Sequence, residues 1–203
     1  MRIFGVILAG GEGRRMGGPQ GGADKALLPL AGRPLIAHAV ARLDPQVEAL
    51  AISANGDPAR LAALGLPVLP DENPVRQGPM AGILAGLDWA AARGASAIVT
   101  AAVDTPFFPG DLVPRLLLAA EGAACGIALA RSGGHDHPTF GLWPVTQRQA
   151  MRDWLASGAS ASMRQLADRL GAARAEFPAD GAFFNLNTRD DLARAEDLIR
   201  GAA

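Results

Sequence analysis

The chain has a single cysteine, Cys125, among 203 residues. One cysteine excludes an internal disulfide and any cysteine-based zinc site. Its neighbours are Ala and Gly, an environment for a small buried side chain rather than for a nucleophile. Long apolar runs are missing too. Although 49% of the residues are hydrophobic, no run approaches the roughly 18–20 that a membrane helix needs. No basic segment precedes a separate apolar one at the start, so no secretory signal is expected and a soluble cytoplasmic protein is the default. Charge of one sign is absent: a formal net charge of −1 offers no electrostatic footing for nucleic acid or an acidic membrane. Histidine is scarce, and His135-Asp136-His137, with ligands at i,i+2 on an expected loop, lacks the further partners of a metal site.

What the chain has in excess is glycine, and the excess is local. An apolar run from Ile3 to Ala9, broken by Gly5, reads as a buried strand that stops at Gly10-Gly11. Seven of the sixteen positions from Leu8 to Ala23 are glycine, and Arg14, Arg15 and Lys25 are the cations of this stretch. Glycine lets backbone N–H groups approach a ligand closely, and converging N–H groups with Arg and Lys beside them make an anion site. The unit reads as a phosphate cradle for a nucleotide. It is not a Walker A loop, because Lys25 lies between Asp24 and Ala26. Nor is it a dinucleotide fingerprint, because Met16 stands where the third glycine belongs.

Along the chain, a helix is expected to start at Gly32-Arg33-Pro34, with Ile36, Val40 and Leu43 on one face. Val47 to Ser53 reads as the second strand. Asp57 caps a helix with Pro58 in its first turn, reaching Leu64. Pro67 to Pro70 is a short third strand ending at Asp71. Met80, Ile83, Leu84 and Leu87 form the stripe of a longer helix. Its Gly82 and Gly86 imply close packing or ligand approach. Ala95 to Val103 is a strand apolar enough to be covered on both faces, and Gly110 to Glu121 is helical. The alternation argues for a mostly parallel sheet with helices on both faces, an α/β three-layer sandwich of Rossmann-like type. Beyond it, Gly126–Ala130 and Pro138–Trp143 read as strands flanking a loop Ser132–His137. Val145–Ser157 and Ser162–Leu170 read as helices, Ala175–Phe177 as an edge strand, and a last helix follows Thr188, with Thr188 and Asp191 as a capping box. No linker divides the chain, so residues 1–203 are expected to form one domain.

Ligands of open parallel sheets bind outside the carboxyl ends of the strands. Gly10-Gly11, Ser53 and Asn55, Asp71, and Asp104 each follow one of the first four expected strands. Asp104 is the candidate metal ligand, since Mg²⁺ takes one or two carboxylates together with phosphates and water; the competing reading is an Asx turn before Thr105-Pro106. Asp71 could accept two hydrogen bonds from guanine, or could be a turn residue. Asn55 in Asn-Gly has the same two readings. Asn185 and Asn187 would share one side of an extended segment, or would simply precede a helix cap.

These residues resemble a family of nucleotidyltransferases that activate sugars and cofactors. Its signature L-A-G-G-x-x-x-R-M-G…D-K is matched by Leu8-Ala9-Gly10-Gly11, Arg15-Met16-Gly17 and Asp24-Lys25. Gly78-Pro79-Met80-Ala81-Gly82, Asp104-Thr105-Pro106, Asp136-His137-Pro138-Thr139 and Asn185-Leu186-Asn187-Thr188 are similar to one branch, the molybdenum cofactor guanylyltransferases. The branch often has Asn-Ala-Asn where this chain has Ser53-Ala54-Asn55.

The resemblance implies GTP and molybdenum-loaded molybdopterin as substrates, Mg²⁺ as cofactor, and molybdenum-insertion proteins and molybdoenzyme chaperones as partners. Carried over by residue, Arg15, Lys25 and Asp104 are the catalytic set. Leu8, Ala9, Gly10, Gly11, Lys25, Ser53, Asn55, Asp71 and Asp104 would bind GTP. Gly82, Asn185 and Asn187 would face molybdopterin, and Asp104 would hold the metal. Phosphate attacking phosphorus needs no Ser-His-Asp machinery, and none is visible; positioning and charge neutralisation suffice. The rivals are a CTP-dependent sister enzyme, a sugar-phosphate nucleotidyltransferase, and a nucleotide-binding protein without activity.

Overall fold

The computed structural model describes residues 1–10, 24–71, 78–157, 162–179 and 181–201. In chain order the elements are β1 (Ile3–Leu8), β2 (Pro29–Leu30), β3 (Arg33–Pro34), α1 (Leu35–Leu43), β4 (Ala49–Ser53), β5 (Val68–Leu69), α2 (Pro79–Ala91) and β6 (Ala97–Ala102). They continue with α3 (Leu112–Ala120), β7 (Ala128–Ser132), β8 (His135–Pro144), α4 (Arg148–Ala156), α5 (Met163–Leu170), β9 (Ala173–Phe177) and α6 (Arg189–Gly201). Among the described residues the main sheet has seven strands in the order β5-β4-β1-β6-β8-β7-β9. The first four are mutually parallel, β8 is antiparallel to both its neighbours, and β9 is parallel to β7 at the far edge.

Every residue of β1 and β6 is buried, and alternation along each strand divides the core in two. Ile3 and Ile7 of β1 pack with Leu35, Ile36 and Leu43 of α1 and with Leu112 and Leu116 of α3. Phe4, Val6 and Leu8 point the other way, against Met80, Ile83, Leu84 and Leu87 of α2, Met151 of α4 and Leu166 of α5. Helix, sheet, helix: the expected three layers are present. The glycines of α2 explain how close the layers come. A Cβ at Gly86 would lie 2.7 Å from Val6 Cγ2 and 3.1 Å from Ile98 Cδ1, so a side chain there would push the helix off the sheet.

Three local expectations are corrected. The helix expected at Gly32 begins at Leu35 instead, because Ala31 (φ 47°) and Gly32 (φ 78°) make the two-residue turn of a β2–β3 hairpin. The segment Pro58–Leu64 is a 3₁₀ helix, not an α-helix. Its inward residues Leu61 and Leu64 are three apart, which suits three residues per turn. The expected loop Ser132–His137 is a hairpin, with β7 and β8 continuing to a turn at Gly133 (φ 54°) and Gly134 (φ 78°). Its polar strand ends are held by charge rather than by apolar packing: Arg131 lies directly opposite Asp136 and donates to it at 2.6 Å.

Candidate active site

The carboxyl ends of β1, β4, β5 and β6 meet along one edge, and two groups of side chains assemble there. The first is built around Asp104, just past β6. Lys25, first residue of a 3₁₀ turn, donates from Nζ to Asp104 Oδ2 at 2.8 Å and to Asn187 Oδ1 at 2.8 Å. The Lys25 side chain is 12% exposed and that of Asp104 27%. Thr105, fully buried, shares its one hydroxyl hydrogen between Asp104 Oδ1 (3.3 Å) and Asn185 Oδ1. The backbone N–H of Leu186 reaches the Asp104 carbonyl at 2.7 Å. Leu186 is buried while Asn185 and Asn187 are exposed. An extended segment turns alternate residues to opposite sides, so both asparagines flank Asp104 as the pattern anticipated. Asp191 secures the segment, accepting from the N–H groups of Asn187 (3.0 Å) and Thr188 (2.9 Å), while Thr188 Oγ1 accepts from Asp191 N–H (3.1 Å). Hydrogen bonding from the Asn187 backbone first, and then to Thr188, holds the Asp191 carboxyl below its ordinary pKa.

The second group lies past β4 and β5. The amide side chain of Asn55 clasps Asp71 from both sides, with Nδ2 donating to Oδ2 at 2.8 Å and Oδ1 accepting from the Asp71 N–H at 3.0 Å. Asn55 is thereby committed to orienting Asp71. Ser53 is buried, and its Oγ, with Leu8 Cδ2, fills the space a Cβ on Gly82 would take. The structure gives Ser53 and Gly82 a packing role in the approach of α2 to the sheet.

The cradle itself is described in part. Leu8 ends β1, and its carbonyl accepts from Val103 N–H at 3.1 Å; Ala9 N–H donates to the Ser53 carbonyl at 2.8 Å. The amide of Ala9, expected to face phosphate, therefore closes the sheet, because the ladder runs to the end of the apolar stretch at Ala9. Gly10 is exposed, and a Cβ there would meet no atom of the described residues within 4 Å. Gly11 and Arg15 lie outside the described residues.

No group of three or more His, Cys, Asp or Glu side chains suited to a metal occurs among the described residues, the histidine pair included. Asp136 is instead gripped by Arg131 (2.6 Å) and Arg174 (2.9 Å). Burial pushes its carboxyl pKa up, but the hydrogen bonds from the two arginines outweigh this and hold it below the ordinary value. His137 stacks on Phe183 at 4.4 Å, and burial, followed by the nearby His135, lowers its pKa. Cys125 is half-buried, its Sγ accepting from Ile127 N–H at 3.4 Å. Arg60 escaped the sequence reading. It pairs with Asp24 and donates to the Asn55 carbonyl at 2.8 Å; the one signal available was its place three residues after the cap Asp57.

Comparison with known proteins points to one family. Residues 5–173 match the model of the MobA-like NTP transferase domain. A molybdenum cofactor guanylyltransferase of Cereibacter sphaeroides is 62% identical over 98% of both chains. One from Rhodobacter capsulatus is 53% identical, again over 98% of both. Among solved structures, the molybdopterin-guanine dinucleotide biosynthesis protein A of Archaeoglobus fulgidus has a TM-score of 0.74, covering 98% of this chain and 99% of its own; at 24% identity it speaks for the fold alone. No helix among the described residues is long and apolar enough to cross a membrane. The chain therefore belongs to the MobA-like NTP transferases and, within them, to the molybdenum cofactor guanylyltransferase family of nucleotidyltransferases.

Proposed function

We propose that the protein transfers GMP from GTP to the phosphate of molybdenum-loaded molybdopterin, giving the guanine dinucleotide form of the cofactor and pyrophosphate. The observation that carries the reading is the junction at Asp104. Asp104 and, from the acceptor-side segment, Asn187 each lie 2.8 Å from the ammonium of Lys25 on the nucleotide-side turn.

An oxygen of the acceptor phosphate attacks the α-phosphorus in line, a P–O bond forms, and the bond to pyrophosphate breaks, with pyrophosphate taking the electron pair. Lys25 exchanges its carboxylate partner for triphosphate oxygens and offsets their charge. Asp71, oriented by Asn55, accepts from guanine N1–H and the 2-amino group. Asn185 and Asn187 position the acceptor, and Arg15 adds a second cation at the phosphates.

Asp104 fits a magnesium ion. Its carboxylate stands at the end of a rigid buried strand, partly open, with one oxygen bonded to a neutral hydroxyl and the other to a displaceable ammonium. A single protein carboxylate suits Mg²⁺, which completes its shell with phosphates and water. Asp104 would hold the ion, which would supply positive charge to offset that of the pyrophosphate leaving group. Molybdenum-insertion proteins and molybdoenzyme chaperones would supply the acceptor and collect the product, in the cytoplasm.

The test is pyrophosphate release with Mg²⁺ and molybdenum-loaded molybdopterin, run with GTP and with CTP. GTP should be preferred by roughly 10-fold or more, because cytosine offers Asp71 one donor fewer. Equal or better use of CTP would overturn the base assignment.

A further inference from the structure

Arg60 lies on the 3₁₀ segment after β4, its side chain 25% exposed. Its guanidinium reaches two partners at once, the Asp24 carboxylate and the Asn55 carbonyl, the latter at 2.8 Å. Neither partner is incidental. Asp24 caps the short turn that begins with Lys25, its Oδ1 accepting from Ala26 N–H at 3.1 Å. Asn55 holds Asp71 through the two hydrogen bonds described above. A continuous line of contacts thus runs from the Lys25 turn through Asp24, Arg60 and Asn55 to Asp71, joining that turn to the ends of the paired strands β4 and β5.

We infer that Arg60 is a positioning residue for the nucleotide, setting the separation between the phosphate-side cation Lys25 and the base-side carboxylate Asp71. The inference rests on the guanylyl-transfer reading for what those two ends bind. A guanidinium suits the task because its planar fork can donate to two acceptors in fixed geometry, which an ammonium on a flexible stem cannot. Asp24 and Arg60 are both largely withdrawn from water. Removing the guanidinium leaves a poorly solvated carboxylate at the base of the Lys25 turn and frees the backbone of Asn55, whose side chain aims Asp71. Both ends of the nucleotide should feel the loss, the base end through discrimination and the phosphate end through affinity.

The experiment titrates GTP, inosine triphosphate and guanosine calorimetrically into the parent, Arg60→Met and Arg60→Lys. Inosine triphosphate lacks the 2-amino group, so the GTP-to-inosine-triphosphate affinity ratio reads the aim of Asp71. Arg60→Met should weaken GTP about 10-fold, weaken guanosine as well, and shrink the ratio at least about threefold. Arg60→Lys keeps the charge beside Asp24 but not the two-pronged geometry. It should hold GTP affinity within about threefold of the parent while still losing part of the ratio. In an Asp71→Asn background, Arg60→Met should leave the ratio unmoved, because the group it aims is gone. A folded Arg60→Met with the parent's ratio would overturn the inference and leave Arg60 a structural partner of Asp24. If that variant does not fold, an unchanged ratio in Arg60→Lys overturns it equally. A parent with no preference for GTP over inosine triphosphate sinks the guanine reading itself, and the inference with it.

Discussion

In the half of the sheet formed by β5, β4, β1 and β6, parallel strands end together, and β1 and β6 are buried along their whole length between apolar layers. In the half formed by β8, β7 and β9 the strand ends carry Arg131, Asp136, His137 and Arg174, and charge pairs hold the hairpin. The first half positions chemistry directly, since Asp71 and Asp104 stand at its strand ends. The second contributes through support. Phe183 packs on His137, Phe140 and Phe177 (4.4, 5.1 and 5.3 Å between ring centroids), and it leads into the segment that sets Asn185 and Asn187 beside Asp104. A parallel sheet needs cover on both faces, so its freedom for polar groups lies at the strand ends. An antiparallel hairpin can hold polar groups along its strands and act as a bracket.

Substitutions that strike one half and spare the other should break this contrast if it is false. The largest effect is expected at Asp104. Asp104→Asn keeps the shape and the hydrogen bonding from Thr105 but removes the anionic ligand. Turnover measured by pyrophosphate release should fall by about 10²-fold or more, the scale of one lost electrostatic contact in the transition state. The melting temperature should stay close to the parent's. Full activity would return Asp104 to a turn residue.

Asp136→Ala should do the reverse. It leaves Arg131 and Arg174 facing each other across a site where the carboxylate was 4% exposed. Unfolding in urea should show a loss of about 3 kcal/mol, the lower end for breaking a withdrawn ion pair from one side. The pH dependence of stability sharpens the point. A carboxyl whose folded pKa lies below its unfolded value near 3.9 contributes stability above that value and loses it as pH falls through the folded pKa. His137, whose pKa is also lowered, acts in the same direction from about pH 6.5 downward. The parent should therefore lose stability on acidification in two stages, and Asp136→Ala should show a smaller acidic stage, reduced to the part that Asp191, whose pKa is also lowered, contributes. An Asp136→Ala variant as stable as the parent would mean that the hairpin needs no such bracket.

The smallest effect is expected where the supported segment enters α6. Thr188→Ala removes one of the reciprocal bonds with Asp191, so stability should drop by about 1 kcal/mol. Acceptor affinity should fall more than GTP affinity, because Asn185 and Asn187 lose part of their tether. Equal losses for the two substrates would dissociate the segment from the acceptor side.

Much of the parallel half was legible in advance. The apolar runs at β1, β4 and β6, the stripe on α2 and the polar residue after each strand are patterns of short period, readable without knowing what packs on what. The hairpin was harder: Ser132 to His137 has neither apolar alternation nor an Asn-Gly turn, and reads as loop because its stabilising pairs are Arg131–Asp136 and Arg174–Asp136. The role of Ser53 was hidden for a related reason. Following a strand, it could face a ligand or a helix, and it faces Gly82. Asn55 and Asp71 each had a turn reading, and only their mutual clasp distinguishes a braced carboxylate from two turn residues.

The sequence by itself determined the order of elements, the edge where the strands end, and the residue types delivered there, because those depend on local periodicity and on the few conformations glycine and proline permit. Tertiary structure decided which of those residues meet. Lys25 and Asn187 stand 162 positions apart and share one hydrogen bond. Asp24 is joined to Asn55 by an arginine that no motif marks. Such pairings follow from strand register, from the rotation of each loop and from the space left by glycines in α2. These are set by the packing of the whole core, whose contacts join residues far apart in the chain.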